Sequence, residues 1–595
     1  MPFDGLVLHS VTRELQTLLT GGRIERVYQP GALEVILVIR KNREKYRLLL
    51  SAAADAARVH ITEADRRNPE KTPFFCSTLR RHLEGGRITA VTQPGLERIL
   101  HLTVTGTDEV GRPVTYLLVA EIMGKHSNII LVAAEENKII DAAKRYTHAV
   151  SRYREVLPGQ PYIPPPPPGK ADPLRVTEEE FFAALSTQGP ETGVAQAIQR
   201  LYQGLGLFSA REVVCRAELP PDLTVGECGL YEYRRLYASL TELVFSVANG
   251  TATPALVFQN GTPVEFAPFD PRQSAGNRTH GPMNEVLDRF HQARTRAAAF
   301  TAQRRRLEQW VGREINRLHR KSESVAAVLN DPDPERYRLY GELLTANLYR
   351  LKPGEKEAIL ENFYLPDAPR VSIPLDPALT PAQNAQLYFK KHAKARAARQ
   401  HAAREKERLD EELAYLATVA TAIEQATGLE DLQEVAVELA EQGYLGTSRT
   451  STKKEQKDRP QPLKIMATGG LTIFVGKNNR QNDYVTFRLA GPDDVWLHAR
   501  GVPGAHVILK TGTQEPSPAA LAEAGALAAY FSQARHAGSV PVDWTRRANV
   551  QRPKGARPGF VTYTGEKTLY ADPAAAAALL RQRYGSATLS CTLED

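Results

Sequence analysis

The 595-residue sequence predicts a multidomain α+β protein. Three observations lead there. The chain is longer than one hydrophobic core can fill. Strand-like blocks rich in turn residues stand at both ends, over residues 1–172 and 463–595. Between them, two long stretches carry apolar residues on alternating three- and four-residue steps, the pattern of paired helices.

In the first block, GGRIERVYQP, ALEVILVIR and YRLLLS read as successive strands separated by turn residues. A second GGRI, at Gly85–Ile88, opens another series through ITAVTQPGLERILHLTV, VTYLLVAEI and HSNIILVAA, which suggests a loose internal repeat. The run PYIPPPPPGKADP excludes helix and central strand and reads as a stiff linker. Residues 173–270 then form a small helical module and connector. Its GLGLFSAREV, Gly204–Val213, fits a helix-hairpin-helix turn, whose backbone N–H groups serve either phosphate binding or, more often, packing alone.

Residues 271–440 predict an arm. Phe290, Ala293, Ala297, Phe300, Leu307, Val311, Leu318, Val325 and Leu329 mark one helical seam; Leu409, Leu413, Leu416, Ala420 and Ile423 mark its return. The Pro-rich segment at 331–383 predicts a small capping domain at the tip of this antiparallel hairpin. Both helices are basic: Arg289–Lys321 holds ten Arg or Lys against two Glu, and Lys390–Arg408 eight against two. Such runs are usually solvated faces, but paired in one arm they suit a phosphate backbone. A polar linker at 441–462 leads to the last domain.

There, apolar positions alternate. Leu471, Ile473 and Val475, then Val485, Phe487 and Leu489, then Val495 and Leu497, then Val507 and Leu509 read as four inward strand rows. The opposite face would present Tyr484, Thr486, Arg488, Trp496, His498 and His506. The loop GKNNRQND, joining the first two strands, adds Lys477, Asn478, Gln481, Asn482 and Asp483. Aromatic and cationic groups on a sheet suit base stacking and phosphate contact, so this face, with Arg500, Arg546 and Arg547, is expected to bind RNA.

No catalytic reading competes well. Asp494 and His498 could pair and His498 and His506 could share a metal, but HExxH, GxSxG and a third ligand at metal spacing are missing. Four scattered cysteines form no CxxC pair. No catalytic residue, metal site or cofactor is therefore expected. The net charge of +8 favours polyanionic partners. MPFDGLVLHS lacks a secretory signature and no apolar run spans a bilayer, so a cytoplasmic protein without a membrane partner is expected.

Long ordered stretches carry a more specific signal. MPFDGLVLHSVTREL, EIMGKHSNIILV, VLPGQPYIPPP, GELLTANLY, LDPALTPAQNAQLYFKK, VGKNNRQNDYVTFRLAGPDDVWLHARGVPGAHVIL and VPVDWTRRANVQRPKGARPG together resemble the NFACT family, formerly described as fibronectin-binding protein A-like. The resemblance covers essentially the whole chain. It implies an NFACT-N α/β domain, a helix-hairpin-helix module, a coiled-coil arm with a middle domain and a mixed α/β NFACT-R domain. It further implies binding to large ribosomal subunits obstructed by peptidyl-tRNA, through ribosomal RNA and a stalk-base protein. Alanyl-tRNA would be recruited for untemplated alanine tailing, with peptide-bond formation left to the ribosome.

By the same resemblance, tRNA contacts fall to Glu97 and Arg98, where the family usually has Asp-Arg, and to Lys125 and His126 in EIMGKHSN. Glu97 keeps the charge but is one methylene longer, and Lys125 is a point charge where a forked Arg is common. Asp4 falls in the matched N-terminal motif, as a structural cap or an RNA contact. Two rival readings remain: a surface adhesin, disfavoured by the missing export signature, and a glycosylase-like enzyme, disfavoured because Pro2-Phe3 departs from a Pro-Glu start.

Overall fold

The computed structural model describes residues 3–107, 111–149, 152–331, 333–446 and 460–584. The chain forms two compact units, Met1–Ala297 and Ala298–Asp595. Most of the expected polar linker at 441–462 lies outside the described residues.

The first unit is built on a nine-stranded antiparallel sheet. Its strands are β1 (Arg23–Gly31), β2 (Glu34–Lys41), β3 (Glu44–Ser51), β4 (Arg58–Ile61), β5 (Arg87–Thr92), β6 (Ile99–Thr107), β7 (Pro113–Glu121), β8 (Asn128–Ala133) and β9 (Lys138–Ala142). The order β4-β3-β2-β1-β5-β6-β7-β8-β9 shows two meanders joined where β1 meets β5. That junction is the pair of GGRI segments, with Arg23 directly opposite Arg87. Helix α1 (Gly5–Leu19) buries Val7, Leu8, Val11, Leu15 and Leu19 in the core with Leu37, Leu50, Leu102 and Leu118 of the sheet. Full burial of such side chains stabilises by about 1.5–3 kcal/mol each.

The helical module packs Phe181, Ile198, Tyr202, Val213 and Leu240 into a second core that also takes in Leu6 of α1 and Leu96. Its connector also forms a three-stranded sheet, Ala255–Gln259, Thr262–Ala267 and Asn277–His280, which periodicity did not separate from the helices.

The arm helices run Met283–Leu329 and Pro381–Gln425. Each is about 70 Å long at 1.5 Å per residue. Leu307, Val311 and Leu318 pack with Leu409, Leu416 and Ile423 along the seam. Phe290 instead joins the core of the first unit. The cap contains a helix, Asp333–Ala346, and a hairpin, Glu357–Glu361 with Arg370–Pro374.

The C-terminal sheet runs in the order Leu463–Met466, Thr472–Val475, Val507–Leu509, Val495–Ala499, Val540–Arg546, Lys567–Ala571. The helix Pro518–Tyr530 covers one face. One expected strand is absent. Val485, Phe487 and Leu489 lie in a π-helical turn, Val485–Leu489, that follows a short helix, Asn479–Tyr484. Asn478 caps that helix by accepting from the Gln481 N–H at 2.9 Å. GKNNRQND is therefore a helix start and not a loop between strands.

Candidate nucleic-acid interface

The N-terminal candidates converge at one end of the β6–β7 pair. Ile99 lies opposite Glu121, and the Ile122 N–H donates to the Arg98 carbonyl at 2.8 Å. Lys125 and His126 follow in a single 3₁₀ turn, Gly124–His126. The side chains of Arg98, Lys125 and His126 are all exposed. Residues distant in sequence thus place cationic and imidazole groups at a common sheet end, open to solvent.

The acidic residues nearby face inward. Asp4 is buried; its Oδ1 accepts from the Val7 N–H at 3.1 Å, capping α1. Its Oδ2 accepts from the Gly206 N–H at 2.9 Å and the Ser209 hydroxyl at 2.6 Å. The structure makes Asp4 a cap and a tether to the helical hairpin. The Gly206 N–H, which in that hairpin turn would otherwise suit a phosphate, is taken by this carboxylate. Burial pushes the Asp4 carboxyl up; the three hydrogen bonds and the nearby Arg98 oppose that shift.

Glu97 accepts from the Gln203 side-chain amide, which holds the longer carboxylate against the helical module. Gln93 donates to the Glu97 and Gly5 carbonyls at 2.7 and 3.0 Å. Lys170, donating to the Gln199 carbonyl at 2.6 Å, lies close enough to feel the Arg98 charge. Gln203 and Lys170 carry no motif, so sequence reading missed both. Behind Lys125, the buried Glu121 carboxylate takes a two-pronged contact from Arg154 and a bond from the Tyr162 hydroxyl at 3.1 Å. This anchors the start of the proline run beneath the exposed turn.

The C-terminal candidates behave differently, and the expectation of an exposed stacking platform is corrected. Trp496 is fully buried among Val485, Ile508 and Val550, with the Tyr563 ring 4.8 Å away. His506 is buried too; its Nδ1 lies 2.9 Å from the Thr486 hydroxyl. Burial holds His506 well below the usual imidazole range and lowers His498 to about 4, so both rings are neutral near pH 7. They lie edge to face at 5.4 Å, and no group able to hold a metal occurs among the described residues. Asp494 pairs with Lys510, not with His498.

The polar stretch itself docks onto the base of the arm. Lys477 donates to Asp431 at 2.6 Å and to Thr427 at 3.2 Å. Asn478 and Gln481 both donate to Glu434, at 2.7 and 2.9 Å. Asn479 donates to Glu438 and Thr418, each at 2.9 Å, while Tyr415 donates to the same Glu438 oxygen. Asn482 accepts from the His506 N–H at 2.9 Å. The acceptors Asp431, Glu434 and Glu438 sit on one helix, Leu429–Glu441, and carried no sequence signal of this role. Arg557 completes the joint, 4.5 Å over the Tyr415 ring and bonded to the Tyr444 hydroxyl.

The remaining candidates are partly committed. Arg500, 51% exposed, bonds Asp543 at 3.0 Å. Arg546 bonds Glu515 and the Asp493 carbonyl; Arg547 bonds the Thr486 carbonyl and covers the Phe487 ring. Asp483 accepts from Arg552 and from the Gly559 N–H. Arg488, Arg500, Arg552 and Lys554 are exposed, as are Lys464 and Lys567, and are among the cations this domain offers outward.

Residues 4–458 match the model of the NFACT N-terminal and middle domains, and residues 464–565 that of the NFACT protein RNA binding domain. The chain is 37% identical over 575 residues to the Rqc2 homolog RqcH of Bacillus subtilis, covering 96% of this chain and 98% of the relative. It is also 37% identical over 578 residues to the Rqc2 homolog RqcH of Streptococcus suis, with the same coverage. A solved N-terminal part of the fibronectin/fibrinogen-binding protein of Streptococcus suis is 35% identical, with a TM-score of 0.41, covering 49% of this chain and 99% of that one. The chain belongs to the NFACT family.

Proposed function

We propose that this protein is a ribosome quality-control factor that binds large ribosomal subunits obstructed by peptidyl-tRNA and recruits alanyl-tRNA for untemplated alanine tailing. The quality-control role rests on family membership and on full-length likeness to Rqc2 homologues. The observation that carries the tRNA assignment is the joint exposure of Arg98, Lys125 and His126 at one sheet end, beside a Glu97 fixed by Gln203. Exposed cations so arranged match phosphates, and backbone contacts of this kind position an RNA without reading its sequence. The basic arm helices supply a second surface for ribosomal RNA or a stalk-base protein.

The protein supplies binding and orientation, and the ribosome supplies peptide-bond chemistry. The test is mass spectrometry of nascent chains released from stalled ribosomes, in cells with and without the protein. Extensions of alanine alone that depend on the protein support the proposal. Unextended chains in both cells, or extensions of mixed composition, would refute the tailing role.

A further inference from the structure

The repeated GGRI is not used by the site above, and the structure gives it a second meaning. The two copies, 21–24 and 85–88, pair with near two-fold symmetry. The Gly21 N–H donates to the Ile88 carbonyl and the Gly85 N–H to the Ile24 carbonyl, both at 2.8 Å. The Ile24 and Ile88 N–H groups donate to Gly86 and Gly22, both at 2.9 Å. Gly21 and Gly85 share a φ of +86°, which glycine adopts without steric cost.

The same symmetry governs the arginines. Arg23 Nε donates to the Gly85 carbonyl and Arg87 Nη1 to the Gly21 carbonyl, each at 3.0 Å. Both side chains are exposed, and among the described residues neither is paired with a carboxylate. Like charges directly opposite across a strand pair are unfavourable. Here they are pinned in place by backbone carbonyls at the middle of the sheet.

These arginines line an open cleft of about 1110 Å³ with Arg26, Arg40, Lys41 and Lys45. Its one acid, Glu25, is bonded by Arg40 and Lys45, and Lys41 donates to the Thr17 carbonyl near the end of α1. Arg26 is paired with Glu84 at 3.7 Å. Among the described residues, Arg23, Arg87 and Lys41 are therefore the cleft cations with no carboxylate partner, and the cleft keeps a net positive charge. It begins beyond the C-terminus of α1, whereas Asp4 and the Arg98 region lie at the N-terminus of that 15-residue helix, about 22 Å away at 1.5 Å per residue.

We infer that the paired GGRI segments form a second RNA-backbone contact, with Arg23 and Arg87 gripping neighbouring phosphates of ribosomal RNA. An open cleft lined by cations suits a polyanion, and the planar guanidinium is the side chain best matched to phosphate. This inference rests on the proposal that the chain works on the ribosome, but it uses different residues from the tRNA site.

The test is binding of the full chain to a labelled mixed-sequence RNA duplex across a salt series, for wild type, Arg23→Gln/Arg87→Gln and Arg23→Lys/Arg87→Lys. Removing two phosphate contacts should make the log-affinity against log-salt slope shallower by about 2, and the lysine pair should retain the slope. The thermal midpoint of the glutamine pair should stay level, because relief of the opposed like charges offsets the loss of the two bonds to backbone carbonyls; a purely structural role predicts a fall with an unchanged slope, which overturns the inference. An unchanged slope alongside Arg98-dependent tRNA recovery would sink this cleft and spare the proposed function. A shallower slope with tRNA recovery indifferent to Arg98 would support the cleft and sink the tRNA assignment.

Discussion

The sheet end that carries Arg98 and Lys125 and the polar run Lys477–Asp483 look alike as sequence and differ in space. Both are rich in charged and hydrogen-bonding side chains beside strands. In the first, the cations are exposed while their acidic neighbours are tied down internally by Gly206, Ser209 and Gln203. In the second, the polar groups are spent within the chain, on Asp431, Glu434 and Glu438 of the arm base. Residue type shows that a surface wants hydrogen-bonding partners. Only burial shows whether those partners belong to the same chain.

The sharpest way to break this contrast is Trp496→Ala. A buried tryptophan lost from a packed core costs about 3–5 kcal/mol, so a large fall in the thermal midpoint of the C-terminal domain is expected. A stacking platform would instead lose RNA affinity with its stability intact. Next in size is Asn479→Ala, which removes a donor from the buried Glu438 carboxylate. The expected loss is about 1–3 kcal/mol, read as faster proteolysis at the joint between arm and C-terminal domain.

Acid should act on the same region. With the folded pKa of His498 lowered to about 4 by burial, the unfolded chain binds the proton first as pH falls. Stability is therefore fully present above the unfolded imidazole value of about 6.5 and declines down to about pH 4. His506 is shifted in the same direction and adds to the decline. A thermal midpoint that rises as pH drops through this window would contradict the packing described here. At the sheet end the smallest stability effect is expected: Arg98→Ala and Lys125→Ala should stay within about 0.5 kcal/mol of wild type, as exposed substitutions do.

How much of this was legible in sequence varied with the physical signal. The arm seam was readable because Leu307, Val311 and Leu318 repeat on a helical period over many turns. The strands of the first sheet were readable as short runs bounded by turn residues; β2, β3 and β8 are continuous apolar runs and not alternating ones. Val485, Phe487 and Leu489 do alternate, yet they form a π-helical turn, since three residues cannot separate a strand from the wall of a turn. The overlooked signal was Asn478 with Gln481 three residues later, a helix-start pattern. The docking helix Leu429–Glu441 was invisible as a partner because its acids meet Lys477–Gln481 only after folding, at separations of about forty residues and more.

The central claim is that RNA is met by the exposed sheet end and not by the buried polar run. It is tested most directly by sequencing the RNA that copurifies with tagged wild-type protein and with Arg98→Ala. Alanine tRNA together with large-subunit RNA in the wild type, with the tRNA lost and the ribosomal RNA kept in the variant, is the predicted result. Undiminished tRNA in Arg98→Ala would contradict it.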